Sequence, residues 1–149
     1  VHHKSWPLLQ LLQPLLAGID NSLIYLHSLQ LGDERQQLLP LLPREGITDW
    51  APQLQNFSDT AHVVSQLDLV ITTDTAVAHL AGALGVPTWV LLPFNADFRW
   101  LQGIDHSPWY PGMRLFRQRR AHDWSQPMQE IVDALGMIYG LDLPALEAL

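Results

Sequence analysis

The stretch LDLVITTDTAVAHLAGALGVPTWVLLP, from Leu67 to Pro93, carries the strongest structural signals in this chain. Its two apolar runs, LDLVIT and PTWVLL, have the length and the branched residues of strands that are buried on both faces. Between them, TAVAHLAGALG is typical of a helix that is apolar nearly all round and therefore buried, with Gly85 just past its end. A strand, a helix and a second strand in this order predict two parallel strands joined by a right-handed crossover.

The same alternation continues on both sides of this stretch. Leucines at helical spacing after Pro7 predict a first helix, with a kink at Pro14. The sequence then predicts a strand at Ser22–His27, a short helix that ends before Pro43, and a helix from about Ser58 to Leu67. Further on come a helical turn in ADFRWLQG, a strand in MRLFRQ and a closing helix in SQPMQEIVDALGMIYG. We therefore expect the α/β class, with a three-layer, Rossmann-like parallel sheet.

The composition limits the class of protein. With 149 residues, 48% of them hydrophobic, the chain is long enough for one domain with its own core. Its net charge of −7 repels nucleic-acid phosphates, so we expect no nucleic-acid partner. The absence of cysteine excludes disulfides and thiolate chemistry and fits a cytoplasmic location. No apolar run reaches the roughly 18 residues of a transmembrane segment, and no signal peptide is visible.

Polar residues stand at the entrance of the central helix, directly after the LDLVIT strand. The free N–H groups and positive dipole end of a helix attract phosphate, and the small side chain of Ala76 lets an anion approach the backbone. Thr75 and His79 are four residues apart, so they share one face of the helix and can both contact that anion. Asp74 would repel a phosphate and is better suited to orienting the loop or to accepting hydrogen bonds from sugar hydroxyls.

A simpler interpretation of the same residues stays open. Asp74 or Thr75 could be an ordinary N-cap, and His79 a histidine satisfied within the core. The sequence lacks G-x-G-x-x-G and Walker motifs, so neither a dinucleotide dehydrogenase nor a P-loop enzyme has support. The histidines do not have the spacing of zinc ligands, and we therefore expect no metal site.

The segment DLVITTDTAVAHLAGALGVPTWVLLP, together with FNADFRW and SPWYPGMRLFRQ, resembles the carboxyl-terminal domain of heptosyltransferase-like glycosyltransferases. It is most similar to the branch that is linked to tetratricopeptide repeats. The resemblance is strong from about Phe57 to Trp124 and weaker back to Trp6. It implies one half of a GT-B fold, the half that holds a nucleotide-diphospho-sugar donor.

The resemblance also implies roles for individual residues. The family's Asp-Thr/Ser-Gly-x-x-His motif, which contacts the donor's diphosphate and sugar, falls on Asp74, Thr75 and His79. Ala76 stands where heptosyltransferases often have glycine, which reduces access to the backbone slightly. The segment HHKSWP is similar to the family's Lys-x-Trp-Pro segment, so Lys4 is expected to reach the donor phosphates. The alternative is that Lys4 is a solvated lysine at the end of the chain.

A nucleobase contact is expected at the start of the helix that follows Gln55. Asn56 and Phe57 fall where the family's loop packs on the base, and an aromatic ring can cover a base by stacking. The alternative for Phe57 is a hydrophobic staple that fixes the entry of the chain into the helix.

The resemblance implies that residues 1–149 are a single nucleotide-sugar-binding domain, and that this domain is a piece of a larger two-domain enzyme with an inverting mechanism. The catalytic base is expected in an amino-terminal GT-B domain, with tetratricopeptide repeats as a further partner, so this chain alone should bind the donor without efficient transfer. No metal or other cofactor is required. Two alternatives remain: a non-catalytic GT-B-like scaffold, and an epimerase-like enzyme that acts on a nucleotide-sugar.

Overall fold

The computed structural model describes residues 6–95 and 110–147, which fall into two compact units. Of the described residues, unit 1 comprises 6–54 and 128–147, and unit 2 comprises 55–95 and 110–127. The helices are α1 (Leu8–Asp20), α2 (Asp33–Leu38), α3 (Phe57–Val64), α4 (Ala76–Ala83) and α5 (Ser125–Tyr139). The strands are β1 (Leu26–Ser28), β2 (Ile47–Asp49), β3 (Val70–Thr73), β4 (Thr88–Leu92) and β5 (Met113–Arg117).

Unit 1 holds the parallel pair β1–β2, with Leu26 opposite Ile47. The first helix was expected to kink at Pro14, and α1 runs through that residue to Asp20. Strand β1 starts later than the predicted Ser22 because Ser22 has a left-handed backbone (φ 59°) and the amides of the next two residues still bond to Gly18. Strand β2 was not predicted, because its three residues are too few to show a periodic pattern.

Unit 2 holds a three-stranded parallel sheet in the order β3–β4–β5. Every residue of the central strand β4 is buried, as the continuous apolar run predicts. Strand β3 was expected to be buried on both faces, but it alternates buried and half-buried residues, because it lies at the outer position of this sheet.

Helix α4 packs on this sheet through a cluster that joins Ala78 to β4 and β5. The cluster consists of Ala78, Val90, Leu92, Met113 and Leu115, with Tyr110 packed against it. The prediction that α4 is buried all round was wrong: only Ala78 and Ala81 are buried, because the other faces of the helix turn away from the sheet. Gly85 (φ 75°) ends the helix as predicted, with Val86 N donating to Ala81 O.

The carboxyl ends of the three strands lie at one edge of unit 2's sheet, the edge where ligands bind in such folds. Asp74 follows β3 and Pro93 follows β4 at this edge. Buried Gln118, just past β5, links two segments at this edge. Its backbone N–H donates to Leu92 O, and its side-chain Oε1 accepts from Phe94 N at 2.9 Å.

The expected α/β class with Rossmann-like parallel strands is confirmed, in the form of two small sheets with helices. A single domain over 1–149 stays a prediction. The helical turn expected in ADFRWLQG lies outside the described residues. Among the helices described, none combines the length and the apolar character that crossing a bilayer demands.

An ion pair in unit 1 gives a prediction for pH. Arg35 Nη2 donates to Asp49 Oδ2 at 2.7 Å, and Ala51 N donates to the other carboxylate oxygen at 3.2 Å. The Arg35 hydrogen bonds, chiefly, hold the pKa of Asp49 below its ordinary value. Asp49 therefore adds stability above the carboxyl pKa of the unfolded chain (about 3.9), and this is lost as pH falls through the folded pKa.

We expect Asp49→Asn to lower the urea midpoint at pH 7. The difference in midpoint from the parent chain should narrow as pH falls through the folded pKa of Asp49, because the protonated carboxyl no longer carries the charge that Asn also lacks. Asp142→Asn is the matched control, since Asp142 is an exposed carboxylate of the same unit. An equal difference in urea midpoint between Asp49→Asn and the parent chain at pH 7 and at low pH would contradict the assigned role of the ion pair.

Candidate functional site

A cleft of about 590 Å³ lies in unit 2 at the start of α4, within the size range of small-molecule sites. It is lined by Phe57, Asp74, Thr75, Ala76, His79 and Leu80. Four of the predicted donor residues therefore share one cleft with one of the two residues predicted for the nucleobase. Asp74 and Thr75 come from the loop after β3, and Phe57 comes from the first turn of α3.

The amino-terminal end of α4 opens into this cleft. Thr75 occupies the N-cap position in an extended conformation, but its side chain makes no capping hydrogen bond to the helix. Its Oγ1 lies 3.1 Å from Thr72 Oγ1, and its carbonyl accepts from Ala78 N at 3.0 Å. Thr75 and Ala76 are both exposed. The Thr75 hydroxyl therefore makes no hydrogen bond to the first amides of α4, and the positive end of a helix dipole attracts anions.

His79 lies one turn into α4, beside the loop acid. Its Nε2 is 3.8 Å from Asp74 Oδ1, and the two side chains are 30% and 22% exposed. The ring of His79 also meets Tyr110 edge-on, with the centroids 5.9 Å apart at an interplanar angle of 63°. His79 therefore lines the cleft beside a carboxylate and an aromatic ring. An imidazole N–H can donate to an anion or a sugar oxygen.

The two residues predicted for the nucleobase are placed differently. Asn56 is the N-cap of α3: its Oδ1 accepts from Asp59 N at 3.0 Å, and Asp59 completes a capping box. Phe57 is the first residue of α3, is 54% exposed and lines the cleft. A staple residue precedes the cap, so the position of Phe57 does not match that alternative. The nucleobase roles of Asn56 and Phe57 stay predictions.

Two further residues at the site were not assigned from the sequence. Leu80 lines the cleft, and its position four residues after Ala76 was a signal that could have placed it on the same helix face. Tyr110 follows His79 at a long sequence separation, so no local pattern could have paired them. Lys4 lies outside the described residues, and its role stays a prediction.

Residues 24–92 match the family model of glycosyltransferase family 9 (heptosyltransferase). This glycosyltransferase family 9 match runs from just before β1 to the end of β4, so it includes every residue that lines the cleft. The match supports the resemblance to heptosyltransferases. It covers the helices and the loop whose residues line the cleft.

The chain is also similar in sequence to one curated protein. The chain is 30% identical over 112 residues to protein FlbA of Caulobacter vibrioides, a match that covers 72% of this chain. The same match covers 18% of FlbA, so the chain spans less than a fifth of that protein's length. No solved structure matches the chain significantly.

The donor set of the cleft does not suggest a metal. Within residues 6–95 and 110–147, no three His, Cys, Asp or Glu side chains lie close enough together to hold a metal ion. The expectation that no metal takes part stays a prediction. The chemistry that the cleft residues offer is hydrogen bonding, helix-end electrostatics and aromatic stacking.

Proposed function

We propose that unit 2 binds the nucleotide-diphospho-sugar donor of a glycosyltransferase. The observation that carries this proposal is a cleft lined by the start of α4, whose N-cap Thr75 makes no side-chain capping bond, and by the exposed ring of Phe57. The diphosphate would contact the first amides of α4, Thr75 and His79. The base would lie against Phe57, and Asp74 would accept hydrogen bonds from sugar hydroxyls.

The reaction we propose for the complete enzyme is inverting transfer of the glycosyl group to a hydroxyl acceptor. The α4 amides, Thr75 and His79, joined by Lys4, would stabilise the departing diphosphate electrostatically, so that no metal is needed. The catalytic base must lie within hydrogen-bond reach of the acceptor hydroxyl. By the family resemblance we place it in an amino-terminal GT-B domain, beside tetratricopeptide repeats, and propose that this chain alone binds donor without efficient transfer.

Ligand-induced stabilisation tests the proposal. UDP, GDP and ADP are each added to the purified chain, and at least one should raise the melting temperature. A ligand at 100 times its Kd stabilises the folded state by about 2.7 kcal/mol. No shift with any of the three would favour the scaffold alternative. Conversion of a UDP-sugar to its epimer by this chain would favour the epimerase alternative.

Removal of the imidazole gives a prediction for the diphosphate end. We expect His79→Ala to weaken nucleotide binding about tenfold, the loss typical of one hydrogen bond to a charged group. The matched control is His62→Ala, which removes an exposed histidine of α3 that does not line the cleft. Isothermal titration measures both variants, and equal affinities for the two would contradict a donor contact by His79.

Removal of the aromatic ring gives a prediction for the base end. We expect Phe57→Ala to weaken nucleotide binding about tenfold, because stacking of a base on an aromatic side chain contributes ~1–3 kcal/mol. Phe57→Trp should restore binding, and the affinity for inorganic pyrophosphate should not change. If Phe57→Ala weakens pyrophosphate as much as nucleotide, the ring does not contact the base.

A further inference from the structure

We propose that Tyr110 is a positioning residue for His79, holding the imidazole ring in the orientation that the donor cleft requires. The proposal rests on the proposed donor binding, and it adds a residue from outside the cleft lining. Tyr110 would act only through its contact with His79.

The first observation is the contact itself. The Tyr110 and His79 rings meet edge-to-face, with 5.9 Å between centroids and 63° between planes. That geometry lies in the range where aromatic pairs attract each other beyond simple burial. Tyr110 is thus an aromatic neighbour of His79, and Asp74 Oδ1 lies 3.8 Å from the Nε2 of the same ring.

The second observation is that Tyr110 is itself held by the core. It packs against the cluster beneath α4, which includes the fully buried Val90 and Leu92. Its carbonyl also accepts from Met113 N at 3.1 Å, at the start of β5. Tyr110 is thus anchored to the sheet, so its ring can serve as a fixed wall for His79.

The third observation is a glycine that makes room for the ring. A Cβ built on Gly82 would lie 2.6 Å from Tyr110 Cγ and 2.9 Å from both Cδ atoms, distances that real Cβ atoms do not show. Gly82 is three residues after His79, so both lie on one face of α4 beneath the same ring. Glycine destabilises a helix interior relative to alanine, and here the close approach of Tyr110 accounts for its presence.

These contacts imply a specific cost when the ring is removed. Without Tyr110 the imidazole gains rotamer freedom that must be lost again when a diphosphate binds. We expect Tyr110→Leu to weaken UDP binding about fivefold, the loss of one aromatic pair, if UDP is the nucleotide that stabilises the chain. Tyr110→Phe keeps the ring and should keep the affinity.

A double-mutant cycle separates positioning from general packing, and a spectrum tests the contact itself. In a His79→Ala background, Tyr110→Leu should cause no further loss, because the residue it positions is gone. In the unliganded chain, Tyr110→Leu should shift the ¹H–¹³C signals of the His79 ring and leave those of His62 unchanged. Should Tyr110→Leu fail to fold, Gly82→Ala displaces the ring from the helix side and should produce the same His79 shift and the same loss.

The outcomes are distinct. Additive losses in the cycle, unshifted His79 signals, or a loss of affinity in Tyr110→Phe would overturn the positioning role. Failure of the parent chain to bind any nucleotide would instead overturn the proposed function, and the His79 signals would still report on the contact with Tyr110.

Discussion

Ala76→Glu is expected to weaken nucleotide binding roughly 100-fold or more without destabilising the chain. Ala76 is the exposed first residue of α4 and lines the cleft, so a carboxylate there would stand beside the proposed diphosphate. Two unit charges ~5 Å apart near a protein surface repel by about 3 kcal/mol, which corresponds to a loss of affinity of roughly 100-fold or more.

The same substitution should slightly favour the folded state. Acidic residues in the first turn of a helix interact favourably with its dipole, typically by ~0.3–1 kcal/mol. Ala76→Gln has a side chain of the same size without the charge, so it isolates the electrostatic part of the effect. Isothermal titration gives the affinities and thermal unfolding gives the stability. An Ala76→Glu variant that binds nucleotide as the parent does would rule out a diphosphate at this helix end.

Leu92→Ala is expected to cause a large loss of stability in unit 2. Leu92 is fully buried at the end of β4 and belongs to the cluster that holds α4 on the sheet. Truncation of a buried leucine leaves a cavity and costs about 2–5 kcal/mol, a large fraction of the stability of a typical domain.

Leu84→Ala is the matched control for that prediction. Leu84 is the C-cap of α4 and is 45% exposed. Its truncation should therefore change the free energy of unfolding by at most ~0.5 kcal/mol. Urea denaturation followed by circular dichroism measures both variants. Similar midpoints for Leu92→Ala and Leu84→Ala would contradict the assignment of the core.

The elements predicted correctly are those whose burial is visible in a continuous apolar pattern. Strands β3 and β4 and the helix between them follow from the Leu67–Pro93 stretch because each is bounded by polar or glycine signals. Strand β2 was not predicted because its three residues are recognisable as a strand only through their pairing with β1. The burial of α4 was overestimated because a helix of small residues has no strongly polar face, although it contacts the sheet on one side.

The candidate site shows the same division between local and long-range information. The sequence could place Asp74, Thr75, Ala76 and His79 together because they are consecutive along one loop and helix. It could also suggest Phe57, which the fold brings to the same cleft from another helix. The ring of Tyr110 against His79 and Gly82 depends on the return of the chain to β5, and a glycine inside a helix gave the only local hint.

The central claim is that the amino-terminal end of α4 receives a diphosphate. Its most direct test is a titration of ¹⁵N-labelled chain with the nucleotide that stabilises it most, followed through the amide signals of Ala76 and Val77. We predict saturable shifts of both amides, reproduced by inorganic pyrophosphate and requiring a much higher ligand concentration in Ala76→Glu. Amides of α4 that stay still while nucleotide binds, or that do not respond to any nucleotide, would contradict the claim.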